Sequence, residues 1–218
     1  MWKLFELGDE TVYITESMVS TWLVMAALIG LALFVRAKLS TFKEIPSGFQ
    51  NLIETAVETI SNLVKNTMGG KMEFLGGYFF AVFVFILASN YSGLLGLRPP
   101  TSDIATTLPL ALGTFVLIHV TGVRVQKAKY FKEYLNPIFI FAPLNVIGEL
   151  SRPVSLAFRL FGNILGGVIL MQIIYSIPIM LTIAIPSVLH AWFDLFTGAL
   201  QAFVFTVLSL TFISLKAE

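Results

Sequence analysis

The sequence predicts an all-α membrane protein in one polytopic domain, 1–218. It consists of three ordinary transmembrane helices, one cytoplasmic-side amphipathic helix, and a hairpin of two long, strongly tilted membrane helices. Three observations predict this. Hydrophobic residues make up 56% of the chain and charged residues only 12%, against about 25% charged in soluble domains. Mean hydropathy is +0.85. The apolar residues gather in blocks long enough to cross a bilayer, and the basic residues collect between them. A net charge of +1 implies no bulk electrostatic partner, so nucleic acid is not expected. Without cysteine there is no disulfide and no thiolate metal site, and neither metal nor cofactor is expected. No internal repeat is evident, which argues against repeat-built secondary transporters.

Residues 1–16 are polar and acidic (Glu6, Asp9, Glu10, Glu16), with neither the basic start nor the continuous apolar run of a cleavable signal. The first span is 17–35, with TWLVMAALIGLALFV at its core and Arg36, Lys38 and Lys43 directly after it. Basic loops stay in the cytoplasm, which puts the N-terminus outside. Pro46 opens 46–68. There Phe49, Leu52, Ile53, Ala56, Val57, Ile60, Leu63 and Val64 share one helical face, opposite Gln50, Glu54, Glu58, Ser61 and Lys65. Too polar to span, this helix is expected on the cytoplasmic surface or against a partner, with a plain linker helix as the alternative. Met68-Gly69-Gly70 ends it. The second span, 74–97, runs outward to Arg98-Pro99-Pro100-Thr101-Ser102-Asp103, where the prolines bar a helix. The third, 104–123, returns to Arg124, Lys127, Lys129 and Lys132, a second basic loop that gives the same orientation independently.

Two apolar stretches follow, 136–175 and 178–215, split only by Ser176-Ile177-Pro178. Forty helical residues measure about 60 Å, against a hydrocarbon core of about 30 Å. Each stretch is therefore either two spans or one inclined helix. No charged loop divides them and no breakers are placed for tight hairpins. Two long helices tilted beyond the usual ~20° are the expectation, and Pro153 can kink the first. The C-terminus then ends in the cytoplasm.

The first stretch contains ELSRPVSLAFRLFGNILGG, 149–167. Asn145, Glu149, Arg152, Ser155, Arg159, the adjacent Gly162/Asn163 and Gly166 recur at steps of three or four, so they share a stripe. Leu150, Val154, Ala157, Phe161, Ile164 and Leu165 take the other side. An arginine at membrane depth costs roughly 2.5–3.5 kcal/mol on insertion scales, so it normally faces a partner or a water-filled path. Arg152 can pair with Glu149, three residues earlier. Arg159 has no acid at three or four residues in either direction and reads as functional. On the second stretch His190, Asp194, Thr197 and Gln201 are spaced by four, three and four, again one face, able to oppose the Arg159 stripe. In an antiparallel hairpin Gln201 lies near the depth of Arg159, with Asp194 and His190 further out. In the other direction Ser155, Arg152, Glu149 and Asn145 lead toward the cytoplasm. Two polar tracks meeting at one arginine suit two half-channels separated by a charged barrier. The plainer readings are a packed, hydrogen-bonded His190 and interhelical hydrogen bonding by Asn163 and Gln201.

PVSLAFRLFGNILGG, followed about forty residues later by LQAFVFTVLSL, resembles subunit a of the F-type ATP synthases. The likeness covers most of the chain, FAVFVFILASNYSGLLGLRPPTSDIATTLPLALG included. It implies a stator subunit with no catalytic site of its own, forming two offset proton half-channels beside a rotating ring of c subunits. Proton flow is thereby coupled to ATP synthesis or hydrolysis elsewhere in the complex. The implied partners are the c ring, the b-subunit peripheral stalk, the remainder of the complex, the lipid bilayer, and protons, with Na⁺ as the alternative ion. The arginine of RLFGN, here Arg159, is implied to face the essential carboxylate of each c subunit. Gln201 matches the glutamine of LQAF, and Asn163 the asparagine of RLFGN on the outer half-channel. Asn90 and Asp103 fall in segments resembling those that border the outer entrance. Glu149 matches the inner-side acids approximately. Many family members carry an acid nine residues after the arginine, where this chain has Val168. Asp194 on the facing helix, with His190 one turn further out, is the expected substitute. The compact chain without a transit segment points to a bacterial plasma membrane, with the chloroplast thylakoid membrane as the alternative. A secondary transporter holding an anionic substrate on Arg159 is the competing function.

Overall fold

The computed structural model describes residues 2–7, 10–46, 48–69, 72–127, 129–130, 139–176 and 184–217. The chain starts on a feature the all-α expectation lacks. Strands β1 (Trp2–Leu7) and β2 (Glu10–Ile14) pair antiparallel, Trp2 opposite Ile14 and Leu7 opposite Glu10. The four acids make this segment look like a polar lead-in. Yet WKLFEL and ETVYI are rich in aromatic and β-branched residues and flank Gly8-Asp9, the sequence signature of a hairpin.

Helices α1 (Glu16–Lys38), α2 (Phe49–Met68), α3 (Gly76–Tyr91), α4 (Ile104–Gln126), α5 (Ala142–Tyr175), α6 (Ala184–His190) and α7 (Gly198–Ala217) follow. A π-helix, Ala191–Thr197, joins α6 to α7. Among the described residues, five helical segments are long and apolar enough to cross a membrane. Thr15 caps α1 by accepting the Met18 N–H at 3.3 Å, while Glu16 in its first turn and Arg36 and Lys38 in its last oppose the helix dipole. Asp103 caps α4 by accepting the Ala105 N–H at 3.0 Å, and its other oxygen accepts from the Ser17 hydroxyl at 2.9 Å, tying α4 to α1. Gly69, at φ 61°, closes α2 in the left-handed conformation that a side chain resists.

The amphipathic α2 has its partner within the chain. Ile60, Val64 and Met68 are buried against α3 and α7, together with Leu75, Phe79, Ile118, Leu210 and Ile213. The Ser214 hydroxyl donates to the Thr67 carbonyl at 2.9 Å. Phe49 and Leu52, on the same face nearer the helix start, remain exposed. A second core joins Val82, Ile86 and Ala111 to Leu156, Ala157, Leu160 and Ile164 of α5 and Ala202 and Phe205 of α7. Helix α4 packs on both α5 and α7. Buried Thr114 and Ser209 hydroxyls meet there at 3.2 Å, an interhelical contact of the kind that small polar residues make in membranes.

The first long apolar stretch is one helix. Helix α5 has 34 residues with Pro153 buried inside it, about 51 Å of helix against about 30 Å of hydrocarbon. The second stretch is helical from Ala184 to Ala217, through the π turn. Residues 136–138 at the start of the first expected helix, the bend at Ile177-Pro178 and the start of the second through 183 lie outside the described residues, as do Gly70 and Lys132.

Candidate functional site: two clefts and an unpaired arginine

Packing decides which way α5 presents its polar stripe. Leu156, Ala157, Leu160 and Ile164 are buried, so Ser155, Arg159, Gly162, Asn163 and Gly166 are turned outward and exposed. Leu150, Val154 and Phe158 flank them, also exposed. From Ser155 onward the stripe thus faces away from the bundle rather than across the hairpin, because the aliphatic residues between its members have the stronger claim on the core. Among the described residues no hydrogen bond and no ion pair reaches Arg159. Gln201 lies buried in α7 at 6% exposure. A side chain at Gly167 would stand 3.4 Å from Phe193. Eight residues further along the two antiparallel helices are Arg159 and Gln201, so the pair lies within about one turn in depth.

A cleft of about 190 Å³ opens beside Arg159, lined by Ser151, Arg152, Ser155, Leu156, Leu208 and Phe212. Arg152 lies over the Phe212 ring, 5.4 Å from its centre. It also stands 3.1 Å from one Glu149 oxygen, a charge contact whose angles fall short of a hydrogen bond. The other Glu149 oxygen is 3.0 Å from the Lys216 ammonium, with both side chains under 10% exposed. Glu149 is therefore clamped between two cations instead of lining the cleft, an arrangement that offsets the cost of burying its charge. Asn145, partly exposed, sits one turn earlier on α5.

Toward the other end of α5 lies a second cleft, of about 280 Å³. Its lining includes Glu16, Gly93, Arg98, Val168, Gln172, Tyr175, His190 and Asp194, and it shares no lining residue with the first. His190 Nδ1 meets the Asp194 carboxylate at 2.5 Å, and Nε2 of the same ring meets the Tyr175 hydroxyl at 2.7 Å. Gly93 makes room for that carboxylate, since a Cβ there would stand 3.2 Å from Asp194 Cγ. The single face expected through His190, Asp194, Thr197 and Gln201 is broken. A π turn holds more residues than an α turn, so Asp194 opens into the cleft while Gln201 turns into the core.

Asn90 and Asp103 brace this end without lining the cleft. Asn90 is 1% exposed. Its amide donates to the Gly198 carbonyl at 2.8 Å, and its oxygen accepts from the Thr101 hydroxyl at 2.6 Å. Asp103 is committed to the α4 cap and Ser17. Sequence reasoning passed over Tyr175, Glu16, Arg98, Gly93 and Lys216. Only Tyr175 carried a local signal, seven residues after Val168 and so on the same face of α5.

The architecture defines a multi-pass membrane protein that presents a cation partway along its longest helix. Its family follows from likeness to known proteins. The family described as ATP synthase A chain matches residues 18–214. "ATP synthase subunit a 1" of Syntrophotalea carbinolica is 38% identical over 198 residues, covering 88% of this chain and 82% of that one. "ATP synthase subunit a" of Moorella thermoacetica is 34% identical over 97% of this chain and 94% of its own length. "ATP synthase subunit a, chloroplastic" of Oedogonium cardiacum is 33% identical over 98% of this chain and 86% of its own. The chain belongs to the ATP synthase subunit a family, and with it to ion transport and ATP synthesis within the ATP synthase complex.

Proposed function

We propose that this chain is the stator of the membrane rotor, presenting Arg159 to the carboxylates of a rotating c ring between two proton half-channels that never join. The observation that carries the reading is the pair of clefts with no residue in common, one ending at Arg159, which has no partner among the described residues, and the other beginning at Val168. A guanidinium stays charged at any pH a protein meets and is weakly hydrated for a cation. Facing a ring carboxylate, it favours the ionised form and so the release of that group's proton. The same charge repels a proton attempting to pass directly from one cleft to the other. Ions then cross only by riding the ring. Chemical work on ATP is done elsewhere in the complex, and the peripheral stalk holds this subunit still.

The outer path runs through the second cleft, where the His190–Asp194 pair supplies the protonatable group that Val168 does not. The inner path runs along Ser151 and Ser155. Gln201 and Asn163 flank the arginine, one from the neighbouring core and one from the same exposed stripe. The basic residues Arg36, Lys38, Arg124 and Lys127 lie on the cytoplasmic side, with the N-terminus outside, in a bacterial plasma membrane. The long α5 and its partner cross at a steep tilt, following from about 51 Å of helix in a core of about 30 Å.

The test is Arg159→Ala in membrane vesicles carrying the assembled complex. ATP-driven acidification disappears while the complex stays assembled, and passive proton leak rises once the catalytic head is removed. Pumping at the unsubstituted rate would overturn the stator reading.

A further inference from the structure

We propose that Tyr175 is a positioning residue of the outer path: its hydroxyl holds the His190 ring so that His190 takes up and gives back a proton at Nε2 without turning. The proposal rests on the proton-conducting reading above. Three segments converge on it, since Tyr175 ends α5, His190 ends α6 and Asp194 lies in the π-helix. A carboxylate only accepts hydrogen bonds, so Nδ1, at 2.5 Å from Asp194, keeps its hydrogen whether the ring is neutral or charged. The proton must therefore come and go at Nε2. The partner of Nε2 has to donate when the ring is neutral and accept when it is an imidazolium. A phenol hydroxyl does both by rotating its O–H; a carboxylate, an ammonium or an amide group fixed in place does not.

The Tyr175 hydroxyl stands 2.7 Å from Nε2, and both rings border the same cleft. In the uptake step a hydronium ion in the cleft gives a proton to the Tyr175 oxygen as the tyrosine's own hydroxyl hydrogen moves to Nε2, and the hydronium is left as water. Release is the reverse, to another water. The Asp194 carboxylate accepts from Nδ1–H throughout and stabilises the imidazolium. The other charged groups lining the cleft are Glu16 of α1 and Arg98 of the turn before α4. They carry opposite signs, and among the described residues neither forms an ion pair with the His190–Asp194 pair.

Tyr175→Phe is the direct test, because Tyr175 is 55% exposed and the change removes one oxygen without opening a cavity. In vesicles with the assembled complex, the pumping rate is measured as a function of the pH on the outer-path side. Loss of one hydrogen bond of ordinary strength predicts a roughly two- to tenfold slower rate, together with a displaced pH profile. His190→Gln is the second variant, and adding Tyr175→Phe to it should change nothing further, since the tyrosine acts only through that ring. An unchanged rate and profile, a loss that follows only the amount of assembled complex, or an additive loss in the double variant overturns the proposal. Arg159→Ala in the same vesicles separates the two readings: if it abolishes pumping while Tyr175→Phe is silent, only the positioning role falls.

Discussion

At the scale of single residues, the site is a set of charges handled in two different ways. Glu149 is buried and clamped between Arg152 and Lys216, and Asp194 is held by His190; Arg159 is left exposed with no ion-pair or hydrogen-bond partner among the described residues. A buried charge without a partner is costly, whereas an exposed one on a membrane helix needs a partner from outside. The position of Val168 gives the sharpest residue-level prediction. Val168 and Asp194 line one cleft, so a carboxylate on either should serve the path. Asp194→Asn is expected to slow ATP-driven pumping by roughly tenfold or more, the scale of losing a hydrogen bond to a charged partner, because the His190 imidazolium loses the carboxylate that stabilises it. Adding Val168→Glu to it should restore most of the rate, measured in vesicles with matched amounts of complex. A double variant no faster than Asp194→Asn alone would show that the two positions do not share a path. Arg159 was legible in the sequence because an unpaired arginine in an apolar run is physically anomalous. Tyr175 was legible only as sharing a face with Val168, since a tyrosine near a helix end is ordinary until the facing histidine is seen.

At the scale of elements, periodicity carried the helices. The blocks of apolar residues mark the spans, and the amphipathic pattern marks α2, because each follows from covering or exposing one face. Periodicity could not supply two things. The first is the Ala191–Thr197 π turn, which depends on tertiary packing and redirects Asp194 away from the face it shares with Gln201 in a regular helix. The second is the N-terminal hairpin, whose β-prone runs are short and interrupted by acids. The junction of the π turn with α7 is held by Asn90, which bonds both the Gly198 carbonyl and Thr101. A Cβ at Gly198 would come within 3.0 Å of Asn90, so this contact is already close. Asn90→Ala is therefore expected to destabilise the assembled subunit by about 2–4 kcal/mol, two buried hydrogen bonds and a small cavity. A lowered thermal midpoint for release of the subunit from the membrane complex would register it, and an unchanged midpoint would show that the bonds are dispensable.

At the scale of the whole molecule, the proposed function requires that the two clefts open to opposite sides of the membrane and stay apart. The chain has no cysteine, so a single introduced thiol reports on one place without background. Ser155 lines the cleft beside Arg159, and Val168 lines the cleft with the His190–Asp194 pair. They lie 13 residues apart on one helix, about 20 Å, so a continuous water-filled path would expose both to the same reagent. Separate half-channels predict opposite behaviour for the two. A membrane-impermeant thiol reagent should label Ser155→Cys in inverted vesicles and spare it in right-side-out ones, with the reverse for Val168→Cys. Glu16→Cys and Lys129→Cys fix the orientation in the same preparations, Glu16 from outside and Lys129 from the cytoplasm. If both cleft positions react from one side, the clefts form one path and Arg159 is no barrier. If they react from opposite sides but pass no reagent between them, the helix segment from Arg159 to Val168 is the insulator. The only route left for a proton is then the surface that α5 turns outward, along Arg159, Gly162, Asn163 and Gly166, where a moving partner can carry it across.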